Sequence, residues 1–157
     1  MRIVLSLLVA LSCAFSLSTQ AAELSSWDRF KLWNDCEPMQ LVVEKLSADA
    51  SDIGLEREAL EISVRSRLRA ARIYGLESKF YLHLIVSIVG RAFSIEITYN
   101  KVLHDIASAE TGYAITWVRS GTGTHGQDSS YVISLVSQYT DEFIDEYLRV
   151  NDAACGR

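Results

Sequence analysis

A glycine-rich segment in the last third of the chain has the spacing of some nucleotide-binding loops. It follows a predicted strand and precedes a predicted helix, as a G-x-G-x-x-G loop does in dinucleotide-binding domains. Such a domain also needs a parallel strand after the helix and an acidic residue that holds the ribose. No strand pattern follows the helix here, so the sequence predicts no dinucleotide site and no other cofactor. The residues of this glycine segment are Gly121, Thr122, Gly123, Thr124, His125 and Gly126.

The glycine segment also lacks two residues of a phosphate-binding loop, because Gln127 replaces the lysine and Asp128 replaces the hydroxyl residue. Two other interpretations of the segment stay open. In the first interpretation, the glycines only let the chain turn sharply from the strand into the helix. In the second, backbone N–H groups at the start of the helix bind a small anion or a carboxylate of a partner, and the six residues of the segment form the binding site.

Three histidines are the other candidates for catalysis or metal binding. They are His83, His104 and His125, and their spacing does not match that of a metal site. Ser129 and Ser130 could supply a nucleophile, but no G-x-S-x-G elbow surrounds them. The sequence therefore predicts no catalytic residue and no metal, and it favours a protein that is not an enzyme. A small periplasmic hydrolase that uses the His125 loop is an alternative, and it would need a pocket joining His125 to a second titratable residue.

Charged clusters on the two main predicted helices fit exposed helix faces. The carboxylates of the last helix flank its apolar stripe, and the arginines of the earlier helix follow glutamates at distances that allow intrahelical pairs. We therefore predict neither a pair of catalytic acids nor an anion-binding surface. The carboxylates are Asp141, Glu142, Asp145 and Glu146, and the arginines are Arg65, Arg67, Arg69 and Arg72.

The N-terminal residues have the pattern of a secretory signal peptide. Arg2 precedes an apolar run over residues 3–17, which is shorter than a membrane-spanning helix, and small residues follow it. We predict cleavage after Ala21, with cleavage after Ala22 as the alternative; the first gives a signal peptide over residues 1–21 and a single secreted domain over residues 22–157. The alternative is lipidation of Cys13, although Ala10 and Leu11 stand in the reverse of the usual lipobox order. The predicted localisation is periplasmic or secreted.

Cys36 and Cys155 are the cysteines that follow the predicted signal peptide. In an oxidising compartment such a pair forms a disulfide, which here would close a loop spanning most of the domain. The sequence contains no Asn-x-Ser/Thr glycosylation sequon, and together with the short signal this favours a bacterial periplasm.

The composition restricts the partners. Lys and Arg total 15 against 20 Asp and Glu, so the net charge of −5 disfavours nucleic acid. No segment after the signal is long and apolar enough for an integral membrane helix. The chain has one proline and no internal repeat, which indicates one domain without a linker. We expect another envelope protein as the partner, and the oligomeric state is left open.

Hydrophobic periodicity predicts an α+β domain in the order β-α-β-β-β-α, after a short helical turn that precedes Cys36. This order predicts a two-layer sandwich, in which two helices pack on one face of a mostly antiparallel four-stranded sheet. In the fourth strand, Tyr113, Ile115 and Trp117 are expected on one face. The predicted strands cover residues 39–46, 80–89, 93–99 and 113–119, and the predicted helices cover residues 56–74 and 128–150.

The element order over residues 39–147 resembles that of small bacterial envelope modules. Examples are the N-terminal domain of the Tol–Pal β-propeller protein and the lipoproteins that activate penicillin-binding proteins. The resemblance implies docking onto other envelope proteins and transfers no individual residue. We therefore predict a non-enzymatic binding or accessory domain that acts through protein–protein contacts. Such a domain should have an exposed apolar patch or a free sheet edge, whereas the other alternative, a secreted inhibitor or effector, should project a loop or hairpin.

Overall fold

Four strands form one sheet, and their order in the sheet is their order in the chain. The structure is a computed structural model in which residues 24–156 are described, so the predicted signal peptide and Cys13 lie outside the described residues. The elements are α1 (Ser26–Leu32), β1 (Gln40–Val43), a 3-10 helix (Ala48–Ile53), α2 (Arg57–Ala70), β2 (Tyr81–Val89), β3 (Ala92–His104), β4 (Thr111–Thr124) and α3 (Ser129–Cys155).

The sheet is mixed. Strands β1 and β2 are parallel, and α2 lies in the long crossover that a parallel pair requires. Strands β2, β3 and β4 are successive antiparallel neighbours. These observations confirm the predicted α+β class, the order of the elements and the four-stranded sheet.

The helices cover one face of the sheet because the apolar residues of the strands alternate. In β2 every second side chain is buried, and the side chains between them are partly exposed. The buried side chains pack against the apolar stripes of α2 and α3, and burying one such side chain fully contributes about 1.5–3 kcal/mol. The core from these three elements consists of Leu82, Leu84, Val86, Ile88, Leu60, Val64, Leu68, Val132, Val136, Phe143, Ile144, Tyr147 and Val150.

Helix α2 ends at Ala70, earlier than the predicted end at residue 74. The helix stops at Ala70 because Arg72 takes a left-handed φ of 59° and the Ile73 N–H bonds back to the Leu68 carbonyl at 3.0 Å. Residues 73–75 are therefore extended rather than helical, and their backbone bonds to Met39, just before β1.

The predicted disulfide between Cys36 and Cys155 is confirmed. The two Cα atoms lie 5.5 Å apart across a sequence separation of 119 residues. Buried polar side chains hold α1 next to this bond. The Lys101 ammonium donates to the Phe30 and Trp33 carbonyls at 2.8 and 2.6 Å. Burial lowers the pKa of Lys101.

Candidate functional site

Four residues of the glycine segment lie in strand β4, where the sequence predicted a loop. Gly121 and Gly123 pair with β3, and packing explains why they lack side chains. A Cβ on Gly123 would lie 2.8 Å from the Phe93 ring, and one on Gly121 would overlap the Tyr139 hydroxyl. The turning role belongs instead to Gly126, whose φ is +57°.

His125 is buried where β4 leads into α3, with 3% of its surface exposed. Its Nε2 lies 2.9 Å from the Gly90 carbonyl, and its Nδ1 accepts a hydrogen bond from the Gln127 N–H at 3.0 Å. Because Nδ1 accepts, the proton of the neutral ring is on Nε2. Both nitrogens therefore bond to the backbone, whereas the hydrolase alternative needs a ring that faces a substrate and a second titratable group.

The first turn of α3 is capped by its own carboxylate. The Asp128 side chain accepts from the Ser130 hydroxyl at 2.7 Å and from the Ser130 N–H at 2.9 Å. These bonds hold the pKa of Asp128 below its ordinary value. A bound anion would meet this negative charge, although Thr122 and Thr124 are exposed nearby. Ligand binding by residues 121–126 stays a prediction.

The other histidines lie apart from this turn. His83 Nε2 is 2.9 Å from a Glu44 carboxylate oxygen, and His104 Nδ1 is 3.3 Å from the Thr111 hydroxyl. Within residues 24–156, no three His, Cys, Asp or Glu side chains are grouped as metal ligands would be. In the same part of the chain, no helix is long and apolar enough to cross a membrane.

The carboxylates of α3 bond to β4, which the sequence did not predict. Arg119 lies 2.8 Å from Glu142 and stacks 4.8 Å above the centre of the Tyr139 ring. Glu146 accepts a hydrogen bond from the Trp117 indole at 3.0 Å. These contacts draw the side chains on the helix-facing side of β4 toward α3.

The opposite face of the sheet, here called the open face, has no described element packed over it. One row across the four strands joins Val42, His83, Thr98 and Val118. The next row joins Tyr81, Asn100 and Ile115, and the Tyr81 ring meets that of Tyr113 edge-on at 5.2 Å. Tyr113, Ile115 and Val118 are 61%, 60% and 56% exposed. These three exposed apolar side chains lie together on β4, and an exposed apolar cluster is typical of a protein interaction site.

The sequence placed Trp117 on the same face as Tyr113 and Ile115, and this was wrong. The pairing of β3 with β4 shifts between Tyr99 and Asn100, so that Thr116 is an extra residue in β4. This β-bulge reverses the alternation. Trp117 therefore contacts the core, and the other two side chains lie on the open face.

The open face has one carboxylate at its centre. Glu96 lies in a row between Ile85 and Ser120, in a shallow depression of about 450 Å³. No ion pair to Glu96 is formed among residues 24–156. The open face therefore combines exposed apolar side chains with polar ones and has the Glu96 carboxylate at its centre.

Comparison with known proteins gives no family. No family model and no curated protein matches the chain. A minor lipoprotein from Acinetobacter baumannii has a TM-score of 0.30 and 11% identity, over 70% of this chain and 92% of its own. The rare lipoprotein B from Shewanella oneidensis has a TM-score of 0.26 and 16% identity, over 73% of this chain and 95% of its own. Both are bacterial lipoproteins, but likeness at this level carries no inference about function. Membership of the two families that the element order resembles stays a prediction.

Proposed function

We propose that this chain is a non-enzymatic binding domain of the bacterial envelope that docks onto another protein through the open face. The observation that carries the proposal is the set of exposed apolar side chains on a sheet face with nothing described over it. A partner that removes such surface from water gains about 25 cal/mol for each Å² of apolar area. An exposed apolar patch is also what we expect of an adaptor rather than of an enzyme.

The location rests on two features. The Cys36–Cys155 bond needs an oxidising compartment, and the predicted signal peptide supplies export from the cytoplasm. The Glu96 carboxylate suggests the chemistry of the partner. A partner surface with a Lys or Arg side chain at its centre and apolar residues around it would cover the open face and neutralise this charge.

Site-specific photocrosslinking in the source bacterium tests the proposal. A benzoylphenylalanine crosslinker is placed at Val42 or Ile85 on the open face, and at Ile62 on the outer surface of α2 as the control. Ile62 is apolar and 48% exposed, but it lies in the helix layer. We expect an adduct with one envelope protein from each open-face position and none from Ile62. Equal adducts from all three positions, or none, would contradict the proposal.

A secreted inhibitor or effector is the second candidate function, and the turn between β3 and β4 favours it. Ile106 is 92% exposed in this turn. The Asp105 carboxylate holds the turn by accepting from the Ser108 hydroxyl at 2.6 Å and from the Ala107 N–H at 3.1 Å. A fixed turn with one projecting apolar side chain fits the cleft of a target. Under this function, Ile106→Ser abolishes target binding; under the first, it leaves the open-face adducts unchanged.

A further inference from the structure

The two edges of the sheet differ in what covers them. At the outer edge of β1, the Met39 N–H donates to the Ile73 carbonyl at 2.8 Å, and the Gly75 N–H donates to the Met39 carbonyl at 2.9 Å. The Arg57 side chain donates to the Val43 carbonyl at 2.9 Å. No backbone hydrogen bond to the outer edge of β4 is formed within residues 24–156. A long edge without proline or lysine is available to pair with another strand.

Hydrogen bonds at the two ends of the β3–β4 pair show which residues of β4 face outward. At one end the His125 N–H donates to the Arg91 carbonyl, and at the other the Asp105 N–H donates to the Glu110 carbonyl. In an antiparallel ladder, hydrogen-bonded and non-hydrogen-bonded residue pairs alternate. Starting from the bonded pair at each end, we can therefore tell which residues of β4 bond to β3 and which face away from it. The residues whose backbone N–H and C=O groups point away from β3 are Thr111, Tyr113, Ile115, Val118, Ser120, Thr122 and Thr124.

The outward-facing residues of β4 can pair with the same residues of a second copy. Because of the bulge at Thr116, the outward-facing residues before it have odd numbers and those after it have even numbers. When two β4 strands lie antiparallel about a two-fold axis at the bulge, each half pairs with the opposite half of the second copy. Ile115 then lies opposite Val118 of the second copy, and Tyr113 lies opposite Ser120. Each apolar pair occurs twice, and cross-strand apolar pairs of this kind stabilise a sheet.

The charges permit this pairing. Arg119 is the one charged residue of β4, and Glu142 and Tyr139 hold it on the helix-facing side. In the register above it lies opposite Ala114 of the second copy, so the two Arg119 side chains do not face each other across the axis. Beside the bulge the edge is bordered by Lys31 and Glu146, whose charges are of opposite sign.

We propose that two copies of this chain associate through antiparallel pairing of their β4 strands, which joins the two sheets into one continuous sheet. The inference goes beyond the proposed function, which uses the open face rather than the edge. In such a pair the two open faces lie side by side on the same surface. The helices of both copies lie together on the other surface.

Sedimentation equilibrium of the protein purified after export tests the inference. We expect a reversible dimer whose dissociation constant rises by about tenfold or more in Val118→Lys, because the lysine lies against Ile115 of the second copy. Ile62→Lys on α2 should leave the dissociation constant unchanged. A protein that stays monomeric up to about 1 mM would overturn the inference.

A backbone variant and a crosslink identify the interface. Ser120→Pro removes one outward N–H without removing a bond to β3, whereas Ser120→Ala keeps that N–H. We expect the dimer to be lost in the first and kept in the second, and equal dimerisation would overturn the inference. Mild oxidation of mixed Ile115→Cys and Val118→Cys proteins should give a crosslinked heterodimer. The crosslink tests the interface even if Ser120→Pro fails to fold. If no crosslinked heterodimer forms in a mixture of the two folded cysteine variants, the inference is overturned.

Discussion

The Tyr147 hydroxyl donates a 2.8 Å hydrogen bond to the side-chain oxygen of Asn34, which lies 113 residues earlier in the chain. Both residues are buried, and the Asn34 amide in turn donates to the Glu37 carbonyl at 2.7 Å. The last helix and the segment after α1 are therefore joined by buried side chains as well as by the disulfide.

Tyr147→Phe should lower the free energy of unfolding by about 1–3 kcal/mol, because the Asn34 oxygen is then buried without this donor. Urea denaturation measures the change. Tyr131→Phe is the control, since Tyr131 is 48% exposed and no hydrogen bond from its hydroxyl to a buried acceptor is formed within residues 24–156. A loss no larger than that of the control would show that the hydrogen bond contributes nothing to stability.

The double variant Cys36→Ser/Cys155→Ser should fold but melt at a lower temperature. The chain-entropy model gives a loss of roughly 4–5 kcal/mol for a loop of this length. Residues 26–34 should also become more sensitive to protease, while Lys101 and Asn151 still bond to carbonyls of α1. Calorimetry and limited proteolysis measure both effects. Equal melting temperatures for the variant and the oxidised parent would contradict this prediction.

Alanine at Gly123 and at Gly126 should destabilise for different reasons. At Gly123 the new methyl group meets the Phe93 ring, and overpacking of this kind costs about 1–3 kcal/mol. At Gly126 there is open space, so only the strain at a φ of +57° remains, about 1 kcal/mol. Gly112→Ala has neither problem and is the control. Melting curves that do not separate Gly123→Ala from Gly112→Ala would be evidence against the close packing.

His125→Ala should cost about 1–3 kcal/mol, since the Gly90 carbonyl and the Gln127 N–H lose their partners. His104→Ala, at an exposed position, should change stability little. Urea denaturation compares the two. A catalytic His125 would give the reverse pattern, with stability retained and an activity lost.

Asp128 should make the start of α3 sensitive to acid. Its pKa is lowered in the folded state, so the unfolded chain binds its proton first as the pH falls. The contribution to stability is complete above the ordinary Asp pKa of about 3.9 and is lost as the pH falls through the lower folded value. Asp128→Asn can still cap the helix, so it should match the parent at pH 7 and show a shallower loss below about pH 4. Identical acid titrations of stability would contradict this prediction.

The period-two pattern of β2 was sufficient to predict its buried face, because every apolar residue on that face meets the same core. The end of β4 was missed because glycine and threonine at residues 121–124 resemble a loop locally, and only their pairing with β3 makes them a strand. The burial of His125 depends on Gly90, which is distant in sequence, so local pattern could not reveal it. Likewise, the open face follows from the order of the strands in the sheet and from one bulged residue.

The disulfide also determines how the domain carries mechanical load. Because Cys36 and Cys155 lie side by side, a pulling force applied to the chain before the first cysteine and after the second passes directly through the sulfur–sulfur bond. The four strands, α2 and most of α3 lie between the two cysteines and stay outside the line of tension. Stretching can therefore extend the chain only outside this covalent loop, and the sheet with its open face and its free edge keeps its shape under tension.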